Sequence, residues 1–499
     1  MKRILGLLLM LCGVPALGQI YGSPSSGVTQ KTNEKWSGYV VTGPEGSVTD
    51  VRGSWLVPQV TCGNGGFPPL FWVGIDGYNQ PNVKSPGQIG TGAVCGPKGP
   101  EYYAWYEFPY QLGQQTIEGF EVKAGDVITA SVHFNVNGGT FTATIEDGAQ
   151  SKTVESQEIP TARPSSAEWT VERLSFNNPV TPFDTTFFGE EPLSILEGSN
   201  GSTPVTGTCY ATVGRKTGPI SDFEHSQSTA VFELTLTDVL TNASLAIPSA
   251  LSPDGSSFYV QSTAGLVSWW PADGNYLDIM GRNNGTGEGE VTFRPGEFGQ
   301  AFSLDGGRYV DVGSLNLPIT FTVDAWMNPK STTSPPNPFC QGCGPQIVNE
   351  TDGVPQNSYY FQIEPAGTLA LSVESEKGFT QYRTSRPVVT TDGAWQHVAT
   401  TCDGGARIGQ KIQFFVNGIS CPTSVIGPVG RPGEYDAGGT PLVVSLSTKI
   451  GAWGDGVDGL FNGLIDEVQI LSRVLNASEI RAMYNAGPQT AWNSVNKTP

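Results

Sequence analysis

Positive charge is scarce in this chain. Of 499 residues only 27 are lysine or arginine, against 46 aspartates and glutamates, for a formal charge of -19 at pH 7. A surface of that sign repels phosphodiester backbones and anionic lipid headgroups, so no nucleic-acid or membrane partner is expected. Histidine is scarcer still: His133, His225 and His397 are the full set. None of the three belongs to an HExxH pair and no GxSxG elbow occurs, which removes the zinc-peptidase and serine-hydrolase signatures. Lone histidines need partners to act, so these three read as structural and chemistry falls to carboxyls and amides. Apolar runs with a 3.6-residue period are almost missing, which leaves little room for helix. No apolar run approaches the ~20 residues of a membrane-spanning helix. Ile4 to Leu11 is too short for one; with Lys2 and Arg3 before it and Ala16-Leu17-Gly18 after it, residues 1–18 have the form of an export signal, and a secreted protein is expected.

What the chain has in abundance is punctuation. Glycine (64) and proline (37) recur between short runs of Val, Thr, Tyr, Phe and Trp, the composition of an all-β chain with frequent turns. After a flexible, Gly/Ser/Thr-rich lead-in at 19–33, alternating runs such as VTDVRGSWLV (48–57), DVITASVHFNV (126–136), TFTATIED (140–147) and AVFELTLTD (230–238) predict a first antiparallel sandwich over 34–262. A second unit, 263–487, carries AFSLDG (301–306), TFTVDAWMNP (320–329), YYFQIEP (359–365), KIQFFVNG (411–418) and FNGLIDEVQIL (461–471). One short helix should follow, with Asn476 as N-cap, Glu479 completing a capping box and Gly487 as the stop; residues 488–499 read as a loose tail. Seven cysteines lie beyond the signal. Cys62 and Cys95 bracket the stretch discussed next and are placed to staple it, while Cys209, Cys340, Cys343, Cys402 and Cys421 leave pairing open and one thiol over. In acid, near a carboxyl pKa of about 4, the negative charge titrates away and few cations remain to repel one another, which suits an acidic milieu.

Residues 71–110 gather the chemistry. In FWVGID the side chains alternate, so Trp72, Gly74 and Asp76 share one face and Phe71, Val73 and Ile75 the other. In YYAWYEF (102–108) Tyr103, Trp105 and Glu107 fall together. Rings gathered around acids, opposite an apolar face, make a groove suited to an extended polymer. Farther on, AEWTVERLSF (167–176) puts Glu168, Thr170 and Glu172 on one face, the two carboxyls about 13 Å apart at roughly 3.3 Å per residue. A glycosidase needs about 5 to 9.5 Å, which this pair misses unless a bulge intervenes; a solvated outer face is the plainer reading.

These motifs meet a known family. Residues 36–262 resemble the eqolisins, or glutamic peptidases, secreted acid endopeptidases built on a two-sheet sandwich. The resemblance is carried by Lys35-Trp36-Ser37-Gly38, FWVGIDG (71–77), Gln88-Ile89-Gly90-Thr91-Gly92, YYAWYE (102–107), AEWTVE (167–172) and PSALSPDGSSF (248–258). It implies a catalytic dyad of Gln88 and Glu172, with Gln80 the rival for the amide, and a substrate groove lined by Trp36, Trp72, Asp76, Tyr103, Trp105 and Glu107. Tyr103 stands where fungal members carry an aspartate. A neutral amide can hold a water and donate to an oxyanion, and a glutamate can serve as general base and then general acid, so the implied function is peptide hydrolysis in acid with polypeptide substrates. Residues 266–487 resemble laminin-G-like or concanavalin A-like jelly rolls through LVSWWPADGN, AFSLDGGRYVDVG, WQHVATTCDGG and FNGLIDEVQIL. The fold expected is thus two consecutive β-sandwiches of jelly-roll, concanavalin A-like type, in a monomer. Such modules commonly bind glycans or proteins, sometimes with calcium. Asp273, Asp278 and Asp466 are oxygen donors, but Asp-Gly turns explain them without a metal, and no cofactor is expected. The alternatives are a non-catalytic two-sandwich lectin or adhesin, and a glycoside hydrolase.

Overall fold

The structure, a computed structural model, describes residues 27–485 apart from 63–65, 79–86, 110–112, 177–178, 190–208, 253, 316–317, 319, 336–343, 351–358, 376–377, 405–410, 430–446 and 455. The export signal, Gln80, Cys340, Cys343, Gly487 and the C-terminal tail lie outside these residues.

The N-terminal half folds from short alternating strands. In chain order they are β1 (Val28–Asn33), β2 (Trp36–Thr42), β3 (Val48–Leu56), β4 (Leu70–Ile75), β5 (Gly87–Gly96), β6 (Gly99–Glu107), β7 (Gln115–Thr116), β8 (Val127–Asn135) and β9 (Thr140–Asp147). They continue with β10 (Gln150–Glu155), β11 (Ser166–Glu172), β12 (Thr186–Phe188), β13 (Tyr210–Val213), β14 (Lys216–Pro219), β15 (Ala230–Thr237), β16 (Ser244–Pro248) and β17 (Phe258–Ser262). One layer runs β1, β15, β2, β11, β4, β5, β6, β7, antiparallel except for the parallel pair β1–β15. The facing layer runs β10, β9, β8, β3, with β12 and β13 along the other edge of β3; β17 and β16 lead back from β12 to β15. Part of the expected lead-in is therefore strand, because the free edge of β15 offers residues 28–33 a full ladder of backbone partners.

Between the layers the alternation delivers its apolar members. Phe71, Val73, Ile75, Ile89, Ala104, Trp169 and Val171 meet Val51, Trp55, Ile128, Val132 and Phe141 in one buried cluster, each large side chain contributing roughly 1.5–3 kcal/mol. A disulfide joins Cys62 to Cys95, tying the approach to β4 to the end of β5 as its position suggested.

The C-terminal half is a second sandwich of two antiparallel sheets, each of eight strands among the described residues. Asn462–Leu471 lies centrally in one of them, paired with Leu266–Trp270, Gln300–Asp305 and Phe321–Pro329. Helix α1 (Ala477–Asn485) follows it with the expected capping box: Asn476 Oδ1 accepts from the Ser478 and Glu479 amides at 2.9 and 3.0 Å, and Glu479 Oε2 accepts from the Asn476 amide at 3.0 Å. Among the described residues no helix is long and apolar enough to cross a membrane.

Candidate active site

Register across the first layer arranges three rows on the face turned away from the core. In the first, Val40, Glu168, Gly74, Gln88 and Glu107 are successive cross-strand partners on β2, β11, β4, β5 and β6. The second is Gly38, Thr170, Trp72, Gly90 and Trp105. In the third, Trp36 pairs with Glu172 and Glu172 with Leu70, while Gly92 pairs with Tyr103. Glycine makes the groove possible. A Cβ at Gly74 would sit 2.7 Å from Trp72 Cζ3 and 3.1 Å from Gln88 Cγ, and one at Gly92 would meet the Tyr103 ring and Leu70 at 2.8 Å. The Trp72 and Tyr103 rings thus lie down over bare backbone.

Around these rows Trp36, Val40, Leu70, Trp72, Tyr78, Trp105 and Leu234 form an apolar cluster separate from the core, with Tyr103 and Phe232 against it. Trp36 meets Trp72 edge-on at 5.2 Å and Tyr78 at 6.4 Å. Several buried polar atoms here have no hydrogen-bond partner: the indole nitrogens of Trp36 and Trp105 and Thr170 Oγ1. Each such atom costs roughly 1–3 kcal/mol in the free protein, so their gathering on one face marks a surface made to receive polar groups.

The carboxyls divide into two settings. Glu172 is 6% exposed and its Oε1 is 2.7 Å from Lys35 Nζ. Burial raises its pKa, Lys35 and the Trp72 indole pull it down, and Glu107 pushes it up. Glu168 is fully buried. Burial holds its pKa well above the usual range, with Ser166 and the Tyr78 amide opposing and Asp76 adding to the rise. Gln88 is buried and aligned with Glu168, whereas Glu172 lies four residues farther along β11, about 13 Å on a flat strand. Glu107, the direct partner of Gln88, adds to the rise of Glu172.

Of the residues expected in the groove, Gln88, Glu172, Trp36, Trp72, Tyr103, Trp105 and Glu107 share this face. Asp76 does not. It sits just beyond β4 with φ of +67°, which breaks the strand alternation, and its Oδ1 accepts from the Ser165 amide at 2.8 Å. Burial pushes its pKa up to about 6 against those hydrogen bonds. Asp76 ties two loops together instead of lining the groove. Sequence reasoning passed over Lys35, Tyr78, Phe232 and Leu234; only the position of Lys35 next to Trp36 hinted at a role.

Residues 34–231 match the Peptidase A4 family. Residues 304–481 match the concanavalin A-like lectin/glucanase superfamily as a laminin-G-type domain. No curated protein matches the chain. Similar solved structures include scytalido-glutamic peptidase with a transition-state analog inhibitor, at 18% identity over 46% of this chain and 100% of that one, TM-score 0.34. Aspergilloglutamic peptidase from Aspergillus niger is similar at 22% identity over 39% and 99%, TM-score 0.29. Domain 4 of AbnA, an extracellular arabinanase from Geobacillus stearothermophilus in complex with arabinotriose, is similar at 20% identity over 44% and 98%, TM-score 0.32.

In the second sandwich the three candidate calcium donors accept backbone amides. Asp278 accepts from the amides of Trp269, Met280, Arg282 and Asn283, Asp466 from those of Glu297 and Phe298, and Asp273 from that of Gln300. Among the described residues no group of three or more His, Cys, Asp or Glu could hold a metal ion.

Proposed function

We propose that this chain is a secreted endopeptidase that cuts polypeptides in acid through Gln88 and Glu172, on a sandwich spanning 34–262, with the unit at 263–487 as an accessory domain for a glycan or protein. The observation that supports the reading is that Gln88 and Glu172 belong to one sheet face lined by aromatic rings with unpartnered indole N–H groups. A peptide laid along the glycine rows would find donors for its carbonyls and rings for its side chains. Glu172, ionised, takes a proton from a water held by the Gln88 carbonyl oxygen. The Gln88 amide N–H then donates to the oxyanion, and Glu172 returns the proton to the leaving amine. Glu168 is the alternative base, favoured by its alignment with Gln88. Glu172 suits the role better because it reaches solvent and has a cation beside it, while Glu168 is sealed and held neutral.

Digestion of denatured protein at about pH 3, with pepstatin present, tests this. Glu172→Gln is expected to lose at least about a thousandfold in kcat and Gln88→Ala about a hundredfold, the range of one lost oxyanion donor. Wild-type protein without peptidase activity would leave the lectin or adhesin reading standing. Full activity in Glu172→Gln with loss in Glu168→Gln would transfer the base to Glu168.

A further inference from the structure

Lys35 is the cation in contact with the buried acid of the groove, and its position is fixed from both sides. Its amide, like that of Trp36, donates to Asn33 Oδ1 at 2.8 Å, closing the turn between β1 and β2. Its carbonyl accepts from the Arg173 amide at 2.8 Å, one residue past Glu172, which extends the β2–β11 ladder. From this anchored backbone the side chain, 52% exposed, reaches inward to bring Nζ 2.7 Å from Glu172 Oε1 and 5.9 Å from the Trp36 ring centre. We infer that Lys35 is a positioning residue for the proposed base: it fixes Glu172 by one oxygen, leaves the other for the water, and sets a positive charge against the carboxylate. This inference rests on the Gln88/Glu172 reading.

The surroundings permit Lys35 that influence. From β6, Glu107 opposes it and Tyr103 contributes a phenol; from β2 and β4, Trp36, Leu70 and Trp72 bring no charge. Arg173 is turned away, its guanidinium held by the carbonyls of Ser175 and Phe176 and by Asp238. Lys31, the other cation near the groove, lies 4.1 Å from the Phe232 ring centre. Glu34, in the same turn as Lys35, is exposed. A buried carboxyl left without its cation would stay protonated to higher pH, and a protonated base cannot take a proton from water.

The test is the pH profile of kcat/KM on a peptide for the wild type, Lys35→Met, Lys35→Gln, Lys35→Arg and Glu172→Gln, with thermal unfolding of each. Lys35→Met and Lys35→Gln should move the acid limb up by about one pH unit or more, roughly a tenfold loss low on the limb that recovers as pH rises. Lys35→Arg should restore the wild-type limb. An acid limb that stays in place in either neutral variant overturns the inference, whether or not its stability falls. The underlying reading fails separately, by an inactive wild type or a fully active Glu172→Gln.

Discussion

Two glutamates on one strand face, four residues apart, are in different chemical situations because one touches water and a lysine and the other touches neither. Glu168 has a folded-state pKa raised above its unfolded value, so the stability it allows is complete below about pH 4 and is lost as pH rises toward the folded value. Glu168→Gln removes the ionisation while keeping the shape. The variant is therefore expected to melt with the wild type at about pH 3 and several degrees above it at about pH 7. Equal melting temperatures at the higher pH would show that Glu168 is not the sealed carboxyl described here. At Glu172 burial raises the pKa as well, but Lys35 and the Trp72 indole oppose the rise.

At the scale of strands, the groove depends on what β4 and β5 leave out. Gly74 lies between Glu168 and Gln88, and an added methyl there would meet Trp72 Cζ3 at 2.7 Å, the Gly87 carbonyl at 3.0 Å and Gln88 Cγ at 3.1 Å. Both side chains must give way, the indole and the amide alike. Gly74→Ala is expected to lower kcat by roughly ten- to a hundredfold, as displaced catalytic groups do. Its melting temperature should fall by only a few degrees, because the opposite face of β4 keeps Phe71, Val73 and Ile75 in the core. Kinetics on a short peptide beside a melting curve separate the two effects; unchanged kcat would mean that the amide is not held where the register puts it.

The whole molecule is joined through acids. Leu56, Phe187, Ile247 and Tyr259 of the first sandwich share an apolar cluster with Leu266, Trp269, Phe298, Trp326 and Ile480 of the second, and Gln469 Nε2 donates to Tyr259 Oη at 2.6 Å across the joint. Beside this cluster sit carboxyls that burial raises: Glu233 to about 8, Asp273 to about 7, and Asp466 and Glu467 well above the usual range, with Asp273 adding to the rise of the other three. All four bind protons more tightly folded than unfolded, so their contribution is complete below about pH 4 and falls away as pH climbs toward 7 to 8. Calorimetry from acid to neutral pH should show the melting temperature dropping by roughly 10 °C, with Glu233→Gln flattening the slope. A protein equally stable across that range would contradict the burial of these acids. The four buried acids thus make the joint more stable in acid than at neutral pH.

The all-β class, the disulfide, the capped helix and the faces of individual strands could be read from residue order, because strand alternation and helix capping are set within a few neighbours. That Trp72, Tyr103 and Trp105 would each face a groove was legible in this way, whereas alternation alone made the face of Glu172 a solvated one and only the family resemblance gave that residue a role. Which strands lie side by side was not legible. β11 enters between β2 and β4 from about a hundred residues farther along the chain, and only that pairing sets Glu168 in line with Gln88 and Glu172 beside Trp36 and Lys35. The left-handed residue that turns Asp76 out of the groove and the acids buried between the sandwiches likewise come from tertiary packing. Alternation is a property of the local backbone, whereas register, twist and burial depend on contacts between segments far apart in sequence.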